Sequence, residues 1–148
     1  MAAADTIHAS AVRVDGAGVL IRGPSGCGKS SLVLALLMAD REAGRLIADD
    51  RVCLSVTDAR LQASPPEILA GLLEIRGQGL VTVPYLSPVS IDLVVDFELP
   101  EHCPRMPAEA DGRVRIDGIE LRRLLLPMGQ VDGWIRVRAA LAFRAAIV

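Results

Sequence analysis

The sequence predicts an α/β fold on the strength of three stretches. In the first, the apolar run Val19-Leu20-Ile21 leads into Gly23-Pro24-Ser25-Gly26-Cys27-Gly28-Lys29-Ser30, and Ser31-Leu32-Val33-Leu34-Ala35-Leu36-Leu37-Met38-Ala39 follows, rich in helix formers. The order is strand, glycine loop, helix. The second, Leu46-Ile47-Ala48, reads as a buried strand that ends in two acids, Asp49-Asp50. The third, Ile91-Asp92-Leu93-Val94-Val95-Asp96-Phe97, is apolar enough to lie at the centre of a sheet. With 148 residues, 51% of them hydrophobic, the chain fits one domain over residues 1–148 with a sizeable core.

From the start, Thr6 to Val14 alternates apolar and polar residues as a strand does, and Asp15-Gly16 is a hairpin turn that returns the chain through Gly18 to Arg22. The helix after the glycine loop is expected to run to Gly44, with Arg41 and Arg45 suiting its negative end. Val52-Cys53-Leu54 and Leu61 to Ser64 read as strands, and Pro65-Pro66 opens Glu67 to Leu73, apolar at near-helical spacing. Glu74-Ile75-Arg76-Gly77-Gln78-Gly79 places charge at an edge before the strand Val81-Thr82-Val83, and Asp92 and Asp96 are expected at the polar ends of the central strand. A proline-rich connection, Leu99 to Pro107, precedes a hairpin, Val114 to Leu121, with an Asp-Gly turn; Leu124-Leu125-Leu126 reads as one more short strand. Trp134 to Val148, alanine-rich with Trp134, Val137 and Leu141 at helical spacing, is expected to be a terminal helix on the sheet.

Composition excludes some functions. A net charge of −2 gives no basic excess for nucleic acid, and 3% aromatic residues leave few platforms for stacking bases. Three cysteines, Cys27, Cys53 and Cys103, show no C-x-x-C spacing, which suggests neither a zinc site nor a disulfide framework. No basic segment precedes an apolar stretch at the start, and no apolar run is long enough to span a bilayer. The expectation is a cytoplasmic protein with no membrane partner.

The glycine loop matches Gly-x-x-x-x-Gly-Lys-Ser/Thr, the pattern that cradles a nucleotide's phosphates. Gly26 and Gly28 let backbone N–H groups turn inward around a polyphosphate, and the following helix points its positive end at the same anion. Lys29 would reach the β- and γ-phosphates, and the Ser30 hydroxyl would ligate the Mg2+ that bridges them. ATP and Mg2+ are therefore the expected cofactors. Asp49 and Asp50, at the carboxyl end of a strand near this loop, should point to opposite faces, one toward the metal and the other toward the acceptor.

Taken together, His8 ahead of the loop, Gly23 to Ser30, Leu46-Ile47-Ala48-Asp49-Asp50 and Leu72-Leu73-Glu74-Ile75-Arg76-Gly77-Gln78-Gly79 resemble one family, the bacterial HPr kinase/phosphorylases. That resemblance implies an α/β kinase core of the phosphoenolpyruvate carboxykinase-like type, a central mixed β-sheet with flanking helices. It also implies ATP-dependent phosphorylation of a serine on HPr, the phosphocarrier protein of the sugar phosphotransferase system, in many members with the reverse dephosphorylation. By the same resemblance Lys29 and Ser30 serve nucleotide and Mg2+, Asp50 takes the serine proton, Asp49 is an orienting or metal-side group, Glu74 is a metal-associated carboxylate, His8 supports the aspartate, and Arg105 belongs to the catalytic set. A homo-hexamer and a short form reduced to the catalytic core are implied likewise. One departure stands out: where the family carries an arginine-containing loop before the last helix, this chain has Pro127-Met128-Gly129-Gln130-Val131-Asp132. Two planar cations suited to phosphate are missing there, which weakens the dephosphorylating half. Two other readings stay open, a kinase of a small metabolite and a nucleotide-binding regulatory subunit without catalysis.

Overall fold

The computed structural model describes residues 5–144. Strands β1 (Thr6–Val14) and β2 (Ala17–Arg22) form the expected hairpin, paired from Ala9↔Arg22 to Val14↔Ala17. Asp15 and Gly16 both take positive φ, 50° and 78°, the turn whose twist matches that of the strands. The glycine loop follows, then helix α1 (Lys29–Ala39), strand β3 (Arg45–Ala48) on β1, and the hairpin β4 (Arg51–Thr57) and β5 (Arg60–Ser64). A separate two-stranded hairpin, β6 (Leu72–Ile75) and β7 (Gly79–Thr82), comes next. Strand β8 (Val89–Glu98) returns to the main sheet, and β9 (Arg113–Ile116), β10 (Ile119–Pro127) and helix α2 (Gly133–Ala142) complete the order.

The main sheet is mixed. Strand β8 runs parallel to both β2 and β10, whereas the other pairs are antiparallel. The pairing goes β2-β1-β4-β5-β8 and β8 then meets β2 again, so the sheet curls back on itself. Two cores result. On one face Val19, Ile21, Leu93, Val95 and Phe97 pack with Leu32, Val33 and Leu36 of α1, Val137 of α2 and Leu73 of β6. On the other, Ala9, Ala11, Leu20, Val52, Leu61, Ala63 and Val94 fill the inside of the curl, with no helix among the described residues joining them. Alternation along β2 and β8 sends successive residues to the two cores.

Several elements differ from the sequence expectation, each for a physical reason. Helix α1 stops at Ala39 rather than Gly44: Asp40 leaves helical geometry at φ −130°, and the chain makes a turn in which the Gly44 N–H donates to the Asp40 carbonyl at 2.6 Å. A Cβ on Gly44 would sit 2.5 Å from that carbonyl oxygen, so the glycine serves this close approach and not the helix end. Arg45 satisfies the turn instead, donating to the carbonyls of Glu42 and Gly44. The stretch from Glu67 to Leu73 is not a helix but a single 3-10 turn, Glu67–Leu69, followed by β6; Gly71 at φ 74° breaks the run, and Leu73 is buried better in a strand against α1. Leu124 to Leu126 belong to the nine-residue β10 and are no separate strand. Helix α2 ends at Ala142, and the last four residues of the expected helix lie outside the described residues. Both helices flank the same face of the sheet.

Asp92 and Asp96 lie within β8, not at its ends. Asp92 accepts the Gly18 N–H at 2.9 Å. Asp96, 8% exposed, accepts two bonds from Arg22, Nε and Nη2 each at 2.8 Å, with Arg123 at 3.5 Å. A carboxylate is not left alone in such a place. The bonds to Asp96 in turn hold the Arg22 guanidinium charged, with its pKa above the ordinary value.

Candidate active site

The glycine loop leaves β2 and enters α1 with Gly23, Gly26 and Gly28 all at positive φ, 156°, 80° and 112°. Gly28 is the N-cap of α1, has no side chain with which to cap, and so leaves the first-turn N–H groups facing outward for an anion. Lys29 is buried, 6% exposed, and its ammonium donates to the carbonyls of Gly23 at 2.7 Å and Pro24 at 3.0 Å. The ammonium thus closes the loop on itself from within. Cys27 is also buried, its Sγ 3.9 Å from Lys29 Nζ.

The two acids sit in the link between β3 and β4, and the link is a turn, not strand. The Arg51 N–H donates to the Asp49 carbonyl at 2.8 Å, and Asp50 between them is left-handed at φ 69°. Such a backbone costs a non-glycine residue on the order of 1 kcal/mol, least for Asp and Asn. The two carboxylates diverge because of this turn, which corrects the expectation that strand alternation separates them. Asp49 is turned inward, 9% exposed, whereas the Asp50 side chain is 67% exposed.

Each acid meets its own partners. Asp49 Oδ1 accepts from the Ser30 hydroxyl at 3.0 Å and from the Ser10 hydroxyl at 2.8 Å. Asp50 Oδ1 lies 2.9 Å from His8 Nε2, a distance at which the ring N–H donates to the carboxylate. His8 and Ser10 both come from β1, two residues apart and so on one face. Sequence reasoning missed Ser10. The signal was there, since a polar residue two positions from a candidate histidine on a strand shares its face.

A cavity of about 320 Å³ lies beside these groups; His8, Ser10, Ser25, Gly26, Gly28, Lys29, Ser30, Asp50 and Glu74 line it, with Ser31, Leu34, Ile75 and Arg76, whereas Asp49 stands behind Ser10 and Ser30 and does not. Glu74 and Arg76 come from the β6–β7 hairpin. A second cavity of about 480 Å³ adjoins it, sharing Ser25, Gly26, Gly28, Ser31 and Arg76, and is walled by Cys27, Leu32, Ala35, Phe97, Trp134 and the segment Met128 to Val131. The segment Met128 to Val131 therefore faces the glycine loop. Arg105 lies on the exposed connection after β8 and lines neither cavity.

Oxygen donors are what a divalent Mg2+ takes, and Ser30 with Asp49 supplies two that already touch. Among the described residues no group of three or more His, Cys, Asp or Glu forms a metal cage. Among the described residues no helix is long and apolar enough to cross a membrane.

The family model "HPr Serine kinase C-terminal domain" matches residues 1–127. The HPr kinase/phosphorylase of a Thermoanaerobacter species is 41% identical over 101 residues, 63% of this chain and 32% of the relative. That of Streptococcus thermophilus is 33% identical over 153 aligned positions, 95% of this chain and 48% of the relative. Across such curated relatives the chain spans 27% to 48% of their length. Among solved structures, the Hpr(Ser) kinase/phosphatase from Coxiella burnetii superposes with a TM-score of 0.72 at 26% identity, covering 93% of this chain and 98% of that one.

Proposed function

Because the chain belongs to the HPr serine kinase C-terminal domain family, we propose that it is an ATP-dependent protein serine kinase whose acceptor is a serine of the phosphocarrier HPr. The observation that carries this reading is the division of labour in the paired acids. One acid is buried against the loop's Ser30, and its neighbour is exposed on a histidine, with which it lines the cavity that Ser30 also lines. A nucleotide-binding subunit needs only the first.

In this reading the polyphosphate lies on the Gly23 to Gly28 backbone and the α1 N-terminus, and Lys29 exchanges its two loop carbonyls for β- and γ-oxygens. The nucleoside extends over Ser31 and Ala35 into the second cavity, against Phe97 and Trp134. Ser30 and Asp49 would hold Mg2+, with Glu74 across the cavity as a further carboxylate; the cation supplies charge neutralisation on the phosphates. A serine hydroxyl is a poor nucleophile until a positioned carboxylate accepts its proton. Asp50 does so with the oxygen that His8 leaves open, while the His8 N–H fixes the carboxylate's orientation. Arg105 would reach the site only from the exposed connection, which suits a contact made when the protein substrate docks.

The same reading makes residues 1–148 one catalytic domain of the phosphoenolpyruvate carboxykinase-like type, working in the cytoplasm as a homo-hexamer; light scattering on the purified protein tests the last point. Activity is tested by incubating it with ATP, Mg2+ and HPr and locating phosphoserine by mass spectrometry. ATP spent only with a small metabolite, or bound and never spent, would replace this reading with one of its two rivals.

A further inference from the structure

We propose that Ser10 is a positioning residue that sets both acids of the site with one hydroxyl; the proposal rests on the kinase reading above. Ser10 is fully buried in β1 and makes two bonds, one to each acid. Its hydroxyl donates to Asp49 Oδ1 at 2.8 Å and accepts the Asp50 backbone N–H at 3.2 Å. The first bond fixes a side chain, and the second fixes the left-handed backbone on which the neighbouring side chain stands.

The strand register explains why Ser10 has this place. β1 pairs with β4 through Thr6 to His8 and with β3 from Ala11 onward, so its edge changes partner at Ala9 and Ser10. There the turn between β3 and β4 interrupts the ladder, and only the Ala9 N–H to Asp50 carbonyl bond, 3.2 Å, spans the gap from the backbone. The Ser10 hydroxyl supplies a second link. A serine can do this because its hydroxyl donates once and accepts at the same time.

Asp49 Oδ1 takes two hydroxyls, those of Ser10 and Ser30. When Ser30 is drawn to a cation, Ser10 remains to hold the carboxylate in its rotamer. Outer partners of a metal-side carboxylate are commonly worth 10–100-fold in metal affinity or activity. Removal of the Ser10 hydroxyl should therefore lower the gain in nucleotide affinity that Mg2+ brings and lower kcat, each by roughly tenfold or more. Nucleotide affinity in EDTA and KM for HPr should stay within about twofold, since Ser10 is fully buried and bonds the two acids, not the loop backbone. A merely structural serine would not split the readouts in this way.

The test compares wild type with Ser10→Ala and with Ser10→Cys, which keeps a group at the γ position, somewhat larger, and weakens the hydrogen bonds. Calorimetric titration with a non-hydrolysable ATP analogue, with Mg2+ and with EDTA, gives the cation-dependent gain without turnover; steady-state kinetics give kcat and KM. A folded variant with the wild-type gain and kcat overturns the clamp and leaves the kinase reading intact. Losing EDTA affinity as much as the gain also overturns it, because the whole loop would then depend on Ser10. If wild type itself shows no Mg2+-dependent gain, the kinase reading fails and takes the clamp with it.

Discussion

Replacing Asp50 with Asn tests the division between the acids most directly. The amide keeps the shape and still offers Oδ1 to the His8 N–H, so only the basic charge is lost. A positioned base is worth about 10²–10⁴ in rate, or roughly 2.7–5.4 kcal/mol at 1.36 kcal/mol per decade, and kcat should fall by that much. Stability should barely move. With its side chain 67% exposed, Asp50 gains nothing from losing charge, and an exposed pair of this kind is worth about 0–1 kcal/mol. ATP affinity should not change either, because Asp50 is hydrogen-bonded to His8 and Ser10 and to neither Lys29 nor Ser30. Asp49→Asn is the contrast. It removes a charge that is 9% exposed and bonded to Ser30, so the affinity for ATP with Mg2+ should fall about 10–100-fold while affinity in EDTA holds. Rapid-quench single-turnover transfer to HPr, with calorimetric ATP binding and thermal melting on both variants, separates these outcomes. If Asp50→Asn transfers normally while Asp49→Asn binds ATP and Mg2+ well and cannot transfer, the roles are reversed.

Three further outcomes are expected. Lys29→Ala should lower transfer by at least about 10²-fold and stability by no more than about 1 kcal/mol, since the two loop carbonyls that the ammonium bonds can turn to water and its contact with Cys27 Sγ is weak; a melt and the HPr assay check both. Kinase activity should exceed phosphorylase activity because Met128 to Val131, without an arginine, face the glycine loop; release of phosphate from serine-phosphorylated HPr at a rate rivalling the forward reaction would refute this. Arg22→Met should destabilise by about 2–4 kcal/mol, somewhat under the usual cost of stranding a buried charge because Arg123 remains, and adding Asp96→Leu should recover much of the loss in a denaturant titration.

The sequence made local features readable and left non-local ones hidden. The β1–β2 hairpin could be read because Asp15-Gly16 meets its turn's need for two positive φ angles, and the glycine loop because its spacing is itself the geometry. The pairing of His8 with Asp50 came only from resemblance, since the two stand 42 positions apart. No residue spacing predicts that Asp49 and Asp50 stand in a left-handed turn; that follows from β1 changing partners opposite them. Asp96 looked like a strand end because its two arginine partners lie on other strands. The helix expected after Pro66 failed where a short apolar run with Gly71 suits a strand as well as a helix, and burial of Leu73 decided between them.

The return of β8 to the side of β2 has a bearing on how the chain comes to fold. The glycine loop rests on β8: a Cβ on Gly23 would meet Phe97 at 2.9 Å, and the residue before it is bonded to Asp96, 74 positions away. The nucleotide motif is therefore synthesised before the strand that shapes it. Until β8 has left the ribosome and docked, the loop lacks the strand it leans on, and such a long closure is among the slower steps of folding. A nucleotide recognises only the finished arrangement, so at 100 times its Kd it would draw the folding equilibrium forward by about 2.7 kcal/mol. In the kinase reading, abundant ATP would then act on this chain as a folding ligand as well as a substrate.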